Sequence, residues 1–106
     1  MIIDIHTHTF PNKLAAATLD KLSSMSHATP FIDGTVQGLA RSMEKAGIHR
    51  SVVLPVATSP KQVIHINDAS ARLNDQAEET GIASFGCIHP DFEDWKAELA
   101  LSLIHI

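Results

Sequence analysis

Three short runs rich in β-branched and apolar residues, at positions 2–6, 51–56 and 82–88, are separated by stretches whose apolar residues recur with helical spacing. Each run is too short for a helix and is closed by a polar or proline-containing segment: His6-Thr7-His8-Thr9 with Pro11, then Pro55, then His89-Pro90. Between the first two, Val36, Leu39, Ala40 and Met43 fall at i, i+3, i+4 and i+7, with Asp33 or Thr35 as cap and Gly47 as terminator. Between the second and third, Ser59-Pro60 supplies a start signal, and Ile66, Ala69, Leu73 and Ala77 form one stripe ending at Gly81. After the third, Asp91-Phe92-Glu93-Asp94-Trp95 opens another helix with acidic residues at its positive end. The order β-α-β-α-β-α predicts an α/β fold with a parallel sheet and right-handed crossovers.

The first connection is longer than the second. Residues 12–25 carry Leu14, Ala17, Leu22 and Met25 at mostly helical spacing, but Ser23, Ser24, Ser26 and Thr29-Pro30 interrupt them, so a loop with a short helix is expected. This extra material lies at the C-terminal edge of the first strand, where parallel α/β folds bind ligands.

A chain of 106 residues with 44% hydrophobic side chains suits one modest domain. It is too short for a complete eight-stranded (β/α)8 barrel, which takes about 250 residues. Eight Lys plus Arg against twelve Asp plus Glu leave a net charge of −4, which argues against nucleic acid or an anionic membrane as partner. Cys87 is the only cysteine and Asp4 and His6 interrupt the apolar opening, so no intrachain disulfide, signal segment or membrane span is expected, and a cytoplasmic location is the simplest expectation.

Seven histidines stand out in a chain without tyrosine. His6 and His8 matter most, because in extended backbone residues i and i+2 project to one face. Two imidazoles at a strand's C-terminal edge can converge on one divalent cation, zinc being the first choice for neutral nitrogen ligands and manganese, iron and cobalt the alternatives. Asp4 shares their parity one layer deeper, where a carboxylate would orient an imidazole or support the charge of the site. A zinc site needs at least three protein ligands, and these two histidines alone leave it short.

The run Asp4-Ile5-His6-Thr7-His8-Thr9-Phe10-Pro11 resembles the opening of the amidohydrolase superfamily, most closely its amidohydrolase-related branch, which includes aminocarboxymuconate-semialdehyde decarboxylase-like enzymes. Gly47-Ile48 before Ser51-Val52-Val53-Leu54-Pro55, residues 63–67, and Gly86-Cys87-Ile88-His89-Pro90 extend the similarity through about residue 100. The resemblance implies that residues 1–100 are the first three βα units of a TIM-type (β/α)8 barrel, truncated. It implies that His6 and His8 bind a catalytic divalent metal, which activates water to cleave an amide or ester bond in a small-molecule substrate. Some members of that branch instead carry out nonoxidative decarboxylation. The family's remaining metal-binding histidine, its catalytic histidine and its strand-eight aspartate come from later strands, so the 106-residue chain is expected to be inactive, and a homo-oligomer is compatible with a longer parent. Residues 101–106 resemble an in-frame translation of a sequencing adapter and are read as a non-native tail, which gives His105 no role.

His89 and Phe10 are further candidates for the substrate pocket, against a plain loop histidine and a local cluster with Phe31 that pins the first connection. Cys87 reads as a packing residue, Asn67 as a local hydrogen-bonding residue, and His27, His49 and His65 as surface or packing residues. A phosphoesterase of the polymerase-and-histidinol-phosphatase type also opens on His-x-His, but Phe10-Pro11-Asn12 stands where a Ser-Asp-Gly is expected. A metal-dependent deoxyribonuclease gains nothing from the acidic charge. The non-enzymatic alternative is a free-standing α/β module that binds metal or a partner through an exposed strand.

Overall fold

A computed structural model describes residues 1–104. Strands β1 (Ile3–Thr7), β2 (Arg50–Val53) and β3 (Ile82–Ser84) form a parallel sheet in the order β1-β2-β3. Helices α1 (Asn12–Ser26) and α2 (Val36–Ala46) fill the first connection. A 3-10 turn (Pro60–Gln62), α3 (Val63–Asp75) and the one-turn α4 (Ala77–Thr80) fill the second, and α5 (Trp95–Ile104) follows β3. The expected alternation is present, while closure into a barrel is not seen in three strands.

The core lies on one face of the sheet. Val53 and Ile82 are buried against Leu39 and Met43 of α2, with Leu73 of α3 packed alongside. In the register, Ser84 pairs with Val53, and its hydroxyl meets that of Ser70 on α3 at 3.0 Å. Both α2 and α3 therefore cover the same side of the sheet. Ile3, Ile5 and Phe85 stay exposed, Ile5 at 72%.

Local chemistry explains the helix ends. The Thr35 hydroxyl accepts the Gly38 N–H (2.9 Å) at the start of α2, and Asp33 braces Thr35 by accepting both its N–H and its O–H. Those bonds, with Arg41 adding a further charge, hold the Asp33 carboxyl below its ordinary pKa. Gly47, at φ 68°, ends α2 as its sequence indicates. Gly81, at φ 75°, turns α4 into β3 so closely under the His49 carbonyl that a Cβ would sit 2.7 Å from that oxygen.

Several expected boundaries change. Helix α1 runs for 15 residues because its serines do not break it: Ser24 and Ser26 return their hydroxyls to the carbonyls of Lys21 and Leu22 within the helix. It ends at His27 in the left-handed region (φ 55°). The helix expected to reach Gly81 instead breaks at Gln76, after Asn74-Asp75, as the Asn74 amide is drawn away to β3. Strands β2 and β3 are shorter than their apolar runs, since Pro55 has no N–H for a ladder and Cys87 gives its N–H to a side chain. Helix α5 continues through residues 101–104, the first part of the expected tail; His105 and Ile106 lie outside the described residues.

Two asparagines on α3 hold β3 and the segment after it. The Asn74 side chain accepts the Ser84 N–H (2.7 Å) and donates to the Ser84 carbonyl (2.9 Å), closing that point of the outer β3 edge. The buried Asn67 accepts the Cys87 N–H (2.7 Å) and donates to both the Cys87 carbonyl (3.0 Å) and the Glu98 carboxylate (2.9 Å). Its bonds are thus long-range rather than local, and they tie α5 to α3.

Asn67→Ala leaves a half-buried peptide N–H and carbonyl without these partners and is expected to lower unfolding free energy by about 2 kcal/mol in urea titrations. Ser51, 1% exposed, has a buried hydroxyl without a hydrogen-bond partner among the described residues. Ser51→Ala is therefore expected to raise stability by about 1 kcal/mol in the same titration.

Candidate metal centre

The end of β1 is held by Thr7. Its buried side chain donates to the Val52 carbonyl (2.9 Å), and its own carbonyl accepts the Leu54 N–H (2.8 Å). His6 and His8 flank this anchored residue and are both exposed. Their rings stand edge to face, with centroids 5.1 Å apart and planes at 74°, and their Nε2 atoms lie 3.2 Å from each other. Two nitrogens bound to one tetrahedral cation at about 2.0–2.1 Å would be separated by roughly 3.3–3.4 Å. The pair fits two adjacent ligand positions without a change of backbone.

A bond from the other side of His8 fixes its chemistry. His8 Nδ1 lies 2.7 Å from the Leu54 carbonyl oxygen. A carbonyl only accepts, so Nδ1 carries the hydrogen, and the neutral ring presents a bare lone pair at Nε2. Without a cation, the consistent arrangement is His6 Nε2–H donating to His8 Nε2. His6 and His8 are the residues that would hold a divalent cation here, and His6 would then keep its ring hydrogen at Nδ1. The Leu54 carbonyl would serve a metal-bound His8 as the outer hydrogen-bond partner that such imidazoles ordinarily have.

Asp4 reaches His6 through the backbone: its Oδ1 accepts the His6 N–H at 3.1 Å. The cause is an irregularity in the ladder, where β1 advances three residues from Asp4 to Thr7 while β2 advances two from Ser51 to Val53. Such a bulge adds a residue that the neighbouring strand does not match, and bulges re-aim side chains at strand ends. Asp4 steadies this bulge beneath the histidines.

The other candidates lie apart from this pair. His89 is half-buried, and its Nδ1 accepts the Asp91 N–H at 3.2 Å, which ties it into the turn before α5. Phe10 donates its N–H to the Gly34 carbonyl (2.7 Å), and its ring packs with Leu19 around Gly34, so it braces the first connection. Phe31 is fully exposed and takes no part in that cluster. Among the described residues, no group of three or more His, Cys, Asp or Glu side chains is placed to hold one metal ion. A cavity of about 370 Å³ lies elsewhere, between α3 and α5, lined by Ile64, Asn67, Asp68, Gly86, Glu98 and Ser102 among others.

The Leu54 carbonyl escaped the sequence reading because a main-chain acceptor leaves no signature in residue type. Pro55 is the one available hint, since the residue before a proline is held extended. Cys87 is half-buried, and burial first, then the Glu98 charge, pushes its thiol pKa above the ordinary value.

Compared with family models, curated proteins and solved structures, the chain matches none. No helix among the described residues is long and apolar enough to cross a membrane.

The raised thiol pKa predicts slow alkylation of Cys87. At pH 8 the folded chain should react with iodoacetamide more slowly than the urea-unfolded chain, and Glu98→Gln should speed the folded reaction.

Proposed function

We propose that this chain supplies the first part of a metal-dependent hydrolase of (β/α)-barrel type, in which His6 and His8 are two ligands of a divalent cation. The observation that carries the reading is the 3.2 Å approach of the two Nε2 atoms, with His8 Nδ1 already committed to the Leu54 carbonyl. The pair sits at the C-terminal end of a parallel strand, where (β/α) barrels place their chemistry. Sequential strand order with α2 and α3 on one face adds support, because a barrel wall is built that way, with helices outside and the opposite face turned inward.

Activation of water and polarisation of an amide or ester carbonyl are the chemistry such a cation supplies. The chain's own residues prepare for it. The Leu54 carbonyl holds the His8 ring and its tautomer, Thr7 locks the strand end to β2, and Asp4 secures the bulged backbone that carries His6. None of the residues placed here serves as a general acid or base, so hydrolysis requires residues beyond those brought together at the pair. The 106-residue chain is expected to turn over neither amide nor ester.

One observation favours a second reading, a self-contained α/β module that binds metal or a partner. Asn74 occupies the N–H and carbonyl of Ser84 on the outer edge of β3, where a fourth strand would otherwise pair. Under that reading the chain is a soluble species with a cooperative melt; a barrel wall with an uncovered apolar face aggregates.

The metal reading is tested by calorimetric titration with zinc, manganese and cobalt. His6→Ala and His8→Ala are each expected to weaken zinc binding by more than about tenfold. Unchanged zinc affinity in the double variant would reject the reading. Because both side chains are exposed, both variants should keep the wild-type melting temperature within a few degrees.

A further inference from the structure

We propose that Phe85 sets the substrate class of the site, selecting an amide or ester whose acyl group is an aryl ring or an apolar chain of similar length. The inference rests on the metal reading above and adds the group that reads the substrate. Its basis is the sheet register. Thr7, Val53 and Ser84, the last residues of the three strands, pair in one row. The ladder runs one residue further, since the Leu54 N–H donates to the Thr7 carbonyl (2.8 Å) and the Phe85 N–H to the Val53 carbonyl (3.0 Å). His8, Leu54 and Phe85 therefore form the next row.

Side chains alternate between the two faces along a strand. Val53 lies in the core beneath the helices, the Ser84 hydroxyl meets Ser70 of α3, and Thr7 is buried, so the residue after each turns to the uncovered face. An imidazole, an isobutyl group and a phenyl ring stand in line there, at the strand ends where (β/α) folds take their substrates. Phe85 is two strand spacings from His8, about 9.6 Å. A substrate with its scissile carbonyl at His6 and His8 lays its acyl group over the half-buried Leu54 and against the Phe85 ring, which is 50% exposed. Neither Leu54 nor Phe85 has a side-chain charge or hydrogen-bonding group, so selection at these two positions is by apolar area. The ring is also held in place. Asn74 binds both main-chain groups of Ser84 and Asn67 binds both of Cys87, which pins the backbone on either side of Phe85. A ring carried on pinned backbone loses little freedom when a ligand arrives.

The test is calorimetry on the zinc-loaded 106-residue chain, titrated with acetohydroxamate and with benzohydroxamate. Both bind zinc through their own two oxygens, and they differ in a methyl against a phenyl group. Benzohydroxamate is expected to bind about tenfold more tightly, after correction for the preference of zinc in buffer alone. Phe85→Ala should abolish that preference while leaving the affinities for zinc and for acetohydroxamate unchanged. Phe85→Leu, which keeps a smaller apolar side chain, should retain part of the preference, and it carries the comparison if the alanine variant does not fold. Zinc bound with no preference for the aryl compound, or with neither compound bound, overturns the role of Phe85 and leaves the metal reading intact. A preference that survives both Phe85 variants in full does the same. Absence of zinc binding overturns both.

Discussion

The contact between Val53 and Ile82 on the sheet and Leu39 and Met43 on α2 is the interaction on which the other elements depend. It joins β2 and β3 to the helix that precedes β2, and α3 adds Leu73 to the same cluster. With α2 and α3 both on one side, burial is lopsided: the covered face buries Val53 and Ile82, and the other retains exposed isoleucines and Phe85. This asymmetry also determines where chemistry can sit. The ends of the strands are held by the core, while the side chains just beyond them are free to meet solvent, and His6 and His8 are in that position.

Much of the layout was legible because it rests on periodicity and on punctuation by single residues. Val36, Leu39 and Met43 at helical spacing, with Asp33 or Thr35 before them and Gly47 after them, bracketed α2, and of the two candidates Thr35 is the cap. The three apolar runs each yielded a strand. Reading failed where side chains chose partners that sequence spacing does not encode. The serines of α1 look like helix breakers, yet two of them bond inside their own helix. Asn67 and Asn74 look like ordinary polar positions on a helix, yet both reach across to main chain some 10 to 20 residues away.

The candidate site shows the same division. A His-x-His pair at a strand end could be found by alternation alone, and its near approach agrees with that expectation. The bulge between Asp4 and Thr7 could not be found, since it depends on how β1 lies against β2 and leaves no mark in residue type. Nor could the acceptor for His8, which is main chain. The orientation and tautomer of the His8 ring are set by a carbonyl beyond the end of a different strand, positioned by the fold rather than by a motif.

The two asparagine clamps also set a ruler. Asn67 and Asn74 are seven residues apart, a rise of about 10.5 Å along a helix, and their targets Cys87 and Ser84 are three residues apart, about 10 Å in extended chain. The helix and the segment beside it run in opposite directions and are commensurate over this interval. Residues 85–86 therefore have a fixed contour length, and a single insertion there would put one clamp out of step with the other. Gly86 tightens the constraint, because a Cβ at that position would meet Ser102 of α5. A connection that looks like an ordinary loop in sequence thus tolerates changes of length less well than the longer segment between α1 and α2.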